Sequence, residues 1–240
     1  MRLDKYIADN SPFSRADTRK LIKAGRVSIN RVEARHSSQH LLDEDIVHID
    51  GRTLQPVGQL YIVINKPAGY VCANTDAEHP TIIDLISEPS RFIGSDEDYQ
   101  RIRAATLQIV GRLDIDTTGL LFLTNDGQWN HSITSPKSVC KKTYVADLSE
   151  PLSQVTVDAF KAGILLRNED KPTASATLEI LHLNKARVTV SEGRYHQVKR
   201  MFAACGNKVL RLHRERIGDY NLDCNLGEGH FRLLSPDERV

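Results

Sequence analysis

Residues 111–119, Gly-Arg-Leu-Asp-Ile-Asp-Thr-Thr-Gly, place two carboxylates in a glycine-bounded loop. Short apolar runs flank this loop at 107–110 and 120–123. Bounded apolar runs of this length are typical of buried strands, whereas helices need longer periodic segments. We therefore expect Asp114 at the edge of a sheet, directed at a ligand. The alternative is that Asp114 or Asp116 only caps a turn, because Asp bonds its own backbone there.

The N-terminal residues predict a small separate unit of two helices and a sheet. An apolar stripe over 3–8 predicts the first helix, and the second is expected between Ser14 as its N-cap and Gly25 at its end. Alternating apolar residues at 27–29 and 46–49 predict short strands.

A segment that contains proline and glycine, 51–59, predicts a linker after this unit. The expected domains are therefore 1–58, which includes most of the linker, and 59–240. The second domain is expected to be rich in strands. Strands are expected at 61–64, 143–148, 178–183, 187–190 and 209–212, helices at 154–163 and 195–205, and a surface insertion without an assigned role at 87–105.

The net charge of +1 conceals a segregation of charged residues. Residues 15–35 contain seven basic and two acidic side chains, whereas 36–50 contains neither Lys nor Arg. A second basic stretch, 194–216, has seven basic residues and one acidic residue. Local basic patches in a nearly neutral protein favour contacts with phosphate groups. The alternative is that these runs are merely solvated faces.

Composition and motif content exclude several classes of function. The sequence has no apolar run near the roughly 18 residues that a membrane span needs, and its charged N-terminus is unlike a secretory signal, so we expect a cytoplasmic protein without a membrane partner. The four cysteines are scattered singly, without the spacing of a zinc site. No Walker loop, dinucleotide-binding glycine motif or H-E-x-x-H motif is present.

Four short segments, taken in order, carry the strongest functional information. They are Asn65-Lys66-Pro67-Ala68-Gly69-Tyr70, the 111–119 loop with Leu120-Leu121, Lys142-Thr143-Tyr144, and Glu192-Gly193-Arg194-Tyr195-His196-Gln197-Val198-Lys199-Arg200-Met201. In this order they resemble the motifs of the bacterial ribosomal RNA pseudouridine synthases, and the N-terminal unit resembles the S4 RNA-binding domain. The resemblance implies an α+β fold, with a small S4-like module followed by a catalytic domain built on a mixed, mainly antiparallel sheet.

The resemblance also implies the roles of the catalytic residues. Asp114 matches the nucleophile, which attacks either the sugar or the uracil ring, and Tyr144 matches the active-site tyrosine. Lys199 matches the cation that keeps the carboxylate ionised, with Arg200 as the second candidate. Arg112 is expected to fill the space of the flipped uridine or to hold a phosphate, and a salt bridge to Asp116 is the alternative. No cofactor or metal is implied.

The expected substrate is an RNA. The resemblance implies conversion of uridine 516 of 16S ribosomal RNA to pseudouridine by a monomer, with a partly assembled small subunit as a possible form of the substrate. The residues expected to bind RNA are Arg15, Arg19, Lys23, Arg26, Arg112, Arg194 and Arg200. The alternatives are a synthase for 23S ribosomal RNA, a catalytically silent RNA-binding assembly protein, and a glycosidase that uses Asp114 and Asp116.

Overall fold

The structure is a computed structural model that describes residues 1–136 and 138–239. Close contacts divide the chain into two compact units. The first contains 1–60, 94–108 and 124–126, and the second contains 61–93, 109–123 and 127–240. In the described part of the chain, no helix has the length and apolar character needed to cross a membrane.

The helices and strands are numbered in chain order. The helices of the described residues are α1 (Leu3–Asp9), α2 (Arg15–Lys23), α3 (Ile82–Ile86), α4 (Asp96–Ala104), α5 (Gly127–Thr134), α6 (Gln154–Ala162) and α7 (Gln197–Ala204), with 3-10 turns at Pro89–Arg91 and Pro236–Glu238. The strands are β1 (Val27–Ile29), β2 (Val32–Glu33), β3 (Val47–Ile49), β4 (Arg52–Thr53), β5 (Tyr61–Lys66), β6 (Gln108–Val110), β7 (Thr118–Thr124), β8 (Lys142–Leu148), β9 (Thr177–His182), β10 (Lys185–Val190), β11 (Val209–Ile217), β12 (Tyr220–Asn221) and β13 (Phe231–Leu233).

The first unit packs α1 and α2 with a sheet of strand order β2-β1-β3-β4. The predicted start of α2 is confirmed, because the Ser14 side chain accepts a hydrogen bond from the Asp17 backbone and the Asp17 carboxylate accepts one from Ser14. Its predicted end is also confirmed, since Gly25 follows the helix with a φ of 71°. Leu3, Ile7, Leu21 and Val27 are among the buried residues of this core.

The predicted linker begins too early, and part of it is well packed. Arg52–Thr53 is a strand that pairs with β3, so 51–53 belongs to the sheet. Further along, Val57 is buried, its amide donates to the Asn10 side chain at 2.7 Å, and its carbonyl accepts from Arg101 of α4 at 3.1 Å. The predicted surface insertion, 87–105, contains a 3-10 turn and the helix α4, and its residues 94–105 belong to the first unit.

A large sheet of strand order β13-β5-β7-β11-β8-β10-β9 forms the second unit. The pairs β8–β10, β9–β10, β8–β11, β11–β12 and β5–β13 are antiparallel, whereas β7–β11 is parallel. The expected mixed, mainly antiparallel sheet is therefore confirmed. Buried apolar side chains from β8, β10, α6 and α7 form one core, and aromatic side chains around Phe122 form a second.

The parallel pair β7–β11 brings the acidic loop beside the strand that carries Arg214. Gly119 of β7 is the register partner of Arg214. Gly119 has a φ of +102°, and a Cβ at this position would lie 2.8 Å from the Arg214 nitrogen and closer still to its carbonyl oxygen. Residues with a side chain rarely adopt this φ, and the space between the strands has no room for a Cβ. Only glycine therefore allows β7 and β11 to approach each other here.

Candidate active site

Lys66, at the end of β5, holds the backbone of the acidic loop. Its side chain is fully buried, and Nζ donates to the carbonyl oxygens of Thr117 at 2.9 Å, Pro67 at 3.0 Å, Asp114 at 3.2 Å and Ile115 at 3.3 Å. Burial lowers the pKa of Lys66, since it disfavours the charged form. Charge from Cys72, Asp116 and Asp114 opposes this effect in part. The bonds to the Asp114, Ile115 and Thr117 carbonyls tie the loop backbone to the ammonium group.

Further bonds restrain the loop from its other side. The Leu113 amide donates to the Cys72 thiol at 3.3 Å, and the Gly69 amide donates to the Ile115 carbonyl at 2.8 Å. The Thr117 amide closes a turn onto the Asp114 carbonyl at 3.1 Å. With its backbone bonds made in this way, the loop can present the Asp114 side chain in one orientation.

Asp114 and Lys199 meet in the structure, as the sequence predicts. Lys199 Nζ lies 2.8 Å from one oxygen of Asp114, and His196 Nε2 lies 3.3 Å from the other. The same ammonium group donates to Asp116 at 2.6 Å. Only 25% of the Asp114 side chain is exposed, compared with 68% for Asp116, so Asp114 is the more enclosed of the two acids.

The two carboxylates keep Lys199 charged. Burial lowers the pKa of Lys199, but hydrogen bonds and charge from Asp114 and Asp116 outweigh that effect, and the pKa of Lys199 is raised overall. Burial likewise raises the pKa of Asp116, but the hydrogen bond and charge of Lys199 outweigh it and lower that pKa. Arg200, the second candidate for this position, instead pairs with Glu169 at 2.6 Å.

The motif at 192–201 begins its helix two residues later than the sequence predicts. The predicted helix starts at residue 195, and the structure has a left-handed residue before the helix begins. Helix α7 begins at Gln197, and His196 precedes it with a φ of 46°. The His196 ring stacks on the Tyr195 ring at a centroid distance of 3.8 Å. Because His196 is not in the helix, its ring can reach Asp114 while Lys199 approaches from the first turn of α7.

Tyr144 and Arg214 lie side by side on neighbouring strands. The two residues are register partners on β8 and β11, and Arg214 Cζ lies 5.9 Å from the centroid of the Tyr144 ring. Arg214 is 3% exposed and donates from Nε to the Leu120 carbonyl at 2.7 Å. Sequence reasoning places Arg214 only within a basic stretch, because the approach of β11 to β7 has no local signal.

The acidic loop, β8, β11 and the start of α7 contribute side chains to a cleft of about 630 Å³. Its walls include Cys72, Asp114, Tyr144, Lys199 and Arg214. This volume lies within the range of about 300–1,000 Å³ that small-molecule sites usually have. The cleft can therefore admit a group of the size of a nucleoside.

The predicted RNA-binding residues differ in their surroundings. Arg112 lines the cleft, is exposed, and forms no ion pair within the described residues, so the alternative of a salt bridge to Asp116 is not what the structure shows. On the first unit, Arg15, Arg19 and Lys23 are exposed along α2, whereas Arg26 binds both oxygens of Asp50 at 2.6 and 2.7 Å.

Arg194 and Arg200 both bind Glu169. The Arg200 guanidinium also donates to the Arg167 carbonyl at 2.8 Å, and Arg194 donates to the Pro172 carbonyl at 2.7 Å. Their hydrogen-bonding groups are thus largely used within the protein, and a role in binding RNA stays a prediction for both.

The chemistry of the cleft is that of an oriented carboxylate. Asp114 is partly enclosed, is paired with a cation and shares the cleft with the Tyr144 ring, which is an arrangement suited to a nucleophile. Among the residues that the structure describes, no group of three or more His, Cys, Asp or Glu side chains is arranged to hold a metal ion.

Comparison with known proteins relates the chain to one family over nearly its full length. Residues 60–204 match the family described as RNA pseudouridylate synthase. The chain is 45% identical over 239 residues to the ribosomal small subunit pseudouridine synthase A of Escherichia coli K12, and this match covers 99% of the chain and 98% of the relative. It is 44% identical over 239 residues to the protein of the same description from Yersinia pestis, and this match covers 99% of the chain and 96% of the relative. A crystal structure of pseudouridylate synthase, 42% identical, aligns over 100% of both chains with a TM-score of 0.66.

Proposed function

The chain belongs to the RNA pseudouridylate synthase family, and from this membership we infer that it converts a uridine of small-subunit ribosomal RNA to pseudouridine, with Asp114 as the nucleophile. The observation that carries the proposal is the position of the Asp114 carboxylate, which lies in the cleft 2.8 Å from Lys199 Nζ. A silent RNA-binding protein would have no need to hold a carboxylate beside a cation in this position.

The reaction needs groups that the cleft contains. Pseudouridine forms when the bond between ribose C1′ and uracil N1 breaks and C1′ joins C5 of the same base. A stacked uridine must first be flipped out, at a cost of a few kcal/mol. In the proposal Asp114 attacks the flipped nucleotide, Lys199 keeps the carboxylate ionised, and Tyr144 supports the base. The exposed Arg112 side chain would fill the vacated stack or bind a neighbouring phosphate.

The finer features of the proposal concern the target and its recognition. We propose uridine 516 of 16S ribosomal RNA as the target, free or in a partly assembled small subunit, and a monomeric enzyme. The N-terminal helix pair is proposed as an S4-like module that lays Arg15, Arg19 and Lys23 along RNA phosphates. Their exposure on one helix without a carboxylate partner among the described residues supports this role.

The experiment compares purified wild-type protein with Asp114→Asn on 16S and 23S ribosomal RNA transcripts and on isolated small subunits. Pseudouridine is mapped at single-nucleotide resolution. The expected result is one new pseudouridine in 16S RNA with the wild-type protein and none with the variant. A product in 23S RNA would indicate the alternative large-subunit target, and binding without any product would indicate the silent assembly protein.

A further inference from the structure

Arg214 carries a buried positive charge that no carboxylate of the described chain neutralises. The side chain is 3% exposed, lines the cleft, and forms no ion pair within residues 1–136 and 138–239. Burying a cation is unfavourable unless hydrogen bonds or a counter-charge compensate for its lost hydration, and Arg214 has one short hydrogen bond and no counter-charge. Its position at the wall of the cleft indicates that the missing partner comes from the substrate.

The hydrogen bonds of Arg214 are unequally distributed over its guanidinium. Nε makes a short bond to the Leu120 carbonyl at 2.7 Å, which anchors the group to β7. Nη1 has only long contacts, 3.4 Å to the Arg112 carbonyl and 3.5 Å to the Tyr144 hydroxyl. Nη2 is enclosed and has no hydrogen-bond partner. One edge of the guanidinium is therefore fixed and the other is free to donate.

Three lysines in or beside the cleft already have partners. Lys199 is shared by Asp114 and Asp116, and the Lys66 ammonium is surrounded by carbonyl oxygens. Lys142 donates to the carbonyl oxygens of Ile133 at 3.0 Å and Cys140 at 2.6 Å. Arg214 thus differs from these lysines in having strong donors left for a ligand.

Whichever atom Asp114 attacks, the uracil ring acquires negative charge. If the carboxylate attacks C1′, a C–O bond forms while the C1′–N1 bond breaks, and the electron pair of that bond is delocalised over N1, O2 and O4. If it adds to C6, a C–O bond forms there and the C5–C6 π electrons move towards C5 and O4. In the first case C5 then attacks C1′ and displaces the carboxylate. In the second case the C1′–N1 bond breaks, C1′ joins C5, and loss of the C5 proton expels the carboxylate from C6. In both cases C5 gives up its proton, N1 gains one, and the Asp114 carboxylate is released unchanged.

We propose that Arg214 is a further catalytic residue, whose free guanidinium edge binds a carbonyl oxygen of the flipped uracil and stabilises the negative charge that the ring acquires. Arg214 Cζ lies 5.9 Å from the centroid of the Tyr144 ring, so a base that contacts this ring lies within reach of the guanidinium. The inference rests on the proposed function. A donor aimed at developing charge in a desolvated site commonly contributes about 10²–10³-fold to the rate.

The first test uses the full chain with Arg214→Gln and Arg214→Lys. Arg216→Gln is the matched control, because Arg216 lies on the same strand, is exposed, and bonds Gly218 and Asp219 away from the cleft. The substrate is a synthetic RNA that contains the uridine at which the wild-type protein forms pseudouridine. We expect single-turnover rates to fall about 100-fold or more in Arg214→Gln and less in Arg214→Lys, while RNA affinity changes by less than about threefold.

The second test replaces single oxygens of the target uracil. RNAs with 2-thiouridine or 4-thiouridine at the target replace O2 or O4 by sulfur, which is a weaker hydrogen-bond acceptor. At one of the two positions, sulfur should slow the wild-type protein and Arg216→Gln but have little effect in Arg214→Gln, because the variant has already lost the contact. Thermal melting of each variant checks its fold. If Arg214→Gln does not fold, Arg214→Lys takes its place, and the sulfur effect should then be smaller than in the wild type.

The outcomes separate the proposal from its premise. A wild-type protein that forms no pseudouridine contradicts the proposed function, and the role of Arg214 falls with it. An active wild type with a folded Arg214 variant that turns over within threefold of its rate contradicts the role of Arg214 alone. Equal sulfur effects in wild type and variant, together with a large loss of RNA affinity, would assign the guanidinium to a phosphate and likewise overturn the proposal.

Discussion

At the scale of single residues, Lys199 lies between two carboxylates, 2.8 Å from Asp114 and 2.6 Å from Asp116. The two acids are not equivalent. Asp116 is largely exposed and does not line the cleft, whereas Asp114 lines it, is mostly enclosed and also lies 3.3 Å from His196. The pair therefore suits one nucleophile and one auxiliary charge that helps to hold the lysine in place.

Replacing Asp114 tests the nucleophile most directly. Asp114→Asn keeps the shape and volume of the side chain and removes its charge, so RNA binding should persist while the rate falls below a hundredth of the wild-type rate. Asp116→Asn is the matched control and should be milder, within about tenfold. Single-turnover assays on 16S RNA measure both, and an Asp114→Asn enzyme that retains a hundredth of the rate or more would remove Asp114 from the nucleophile's role.

Replacing Lys199 tests how the carboxylate is kept ionised. A desolvated carboxylate without a neighbouring cation holds its proton to higher pH, so Lys199→Met should lose most activity at neutral pH and recover part of it as the pH rises. Lys199→Arg keeps the charge with altered geometry and should retain more activity. A pH–rate profile for Lys199→Met that is lowered without being displaced would show that Lys199 does not govern this ionisation.

At the scale of elements, most strands of the second unit could be predicted from the sequence, but the contacts between residues on different strands and helices could not. Local alternation placed strands over 61–64, 143–148 and 187–190, and the structure confirms them. Lys199 and Asp116, however, are 83 residues apart in sequence, and periodicity carries no information about such pairs. Asp114 and Lys199 could be matched through motifs, but Arg214 could not, because its position depends on the register of β11 with β7.

The approach of these two strands gives a prediction about stability. In Gly119→Ala the alanine must adopt a φ of +102°, and its Cβ also clashes with the Arg214 backbone. In Gly206→Ala the alanine must adopt a φ of +76°, but no atom lies within 4 Å of its Cβ. Left-handed backbone alone costs a larger residue about 1–2 kcal/mol. We expect Gly206→Ala to lose about that much free energy of unfolding and Gly119→Ala clearly more, measured by denaturant titration. Equal losses would show that the strands can separate freely.

At the scale of the whole molecule, the positive charge of α2 is expected to anchor RNA. Arg15→Gln, Arg19→Gln and Lys23→Gln combined should weaken binding of 16S RNA and reduce the slope of log K against log salt by about two to three, since each lost phosphate contact removes close to one unit. Lys161→Gln, Lys171→Gln and Lys185→Gln combined remove the same charge from exposed sites of the second unit. If both triple variants change the slope equally, α2 has no special role.

The C-terminal segment gives a prediction about acid stability. Hydrogen bonds from Arg232, opposed in part by burial, lower the pKa of Glu238 from 4.5 to about 2. Because the folded pKa is depressed, the pair stabilises the protein above pH 4.5, and this contribution is lost as the pH falls towards 2. Glu238→Gln should lower the free energy of unfolding by about 1 kcal/mol or less at pH 7, because solvent screens the ion pair. This loss should become progressively smaller below pH 4.5. Glu150→Gln, which breaks no ion pair among the described residues, should show no such pH dependence in chemical denaturation.

The chain passes through the first unit three times, and this limits how that unit can be replaced by a module from another protein. After leaving the first unit at Leu60, the chain returns to it over 94–108 and again over 124–126. In the first of these returns, Arg101 binds the Val57 carbonyl and Thr106 binds the Ala8 carbonyl. A gene fusion that grafts a foreign RNA-binding module at residue 58 would therefore discard the partners of 94–108, so the N-terminal portion is not an interchangeable cassette. A chimera needs its donor to supply the returning segments as well.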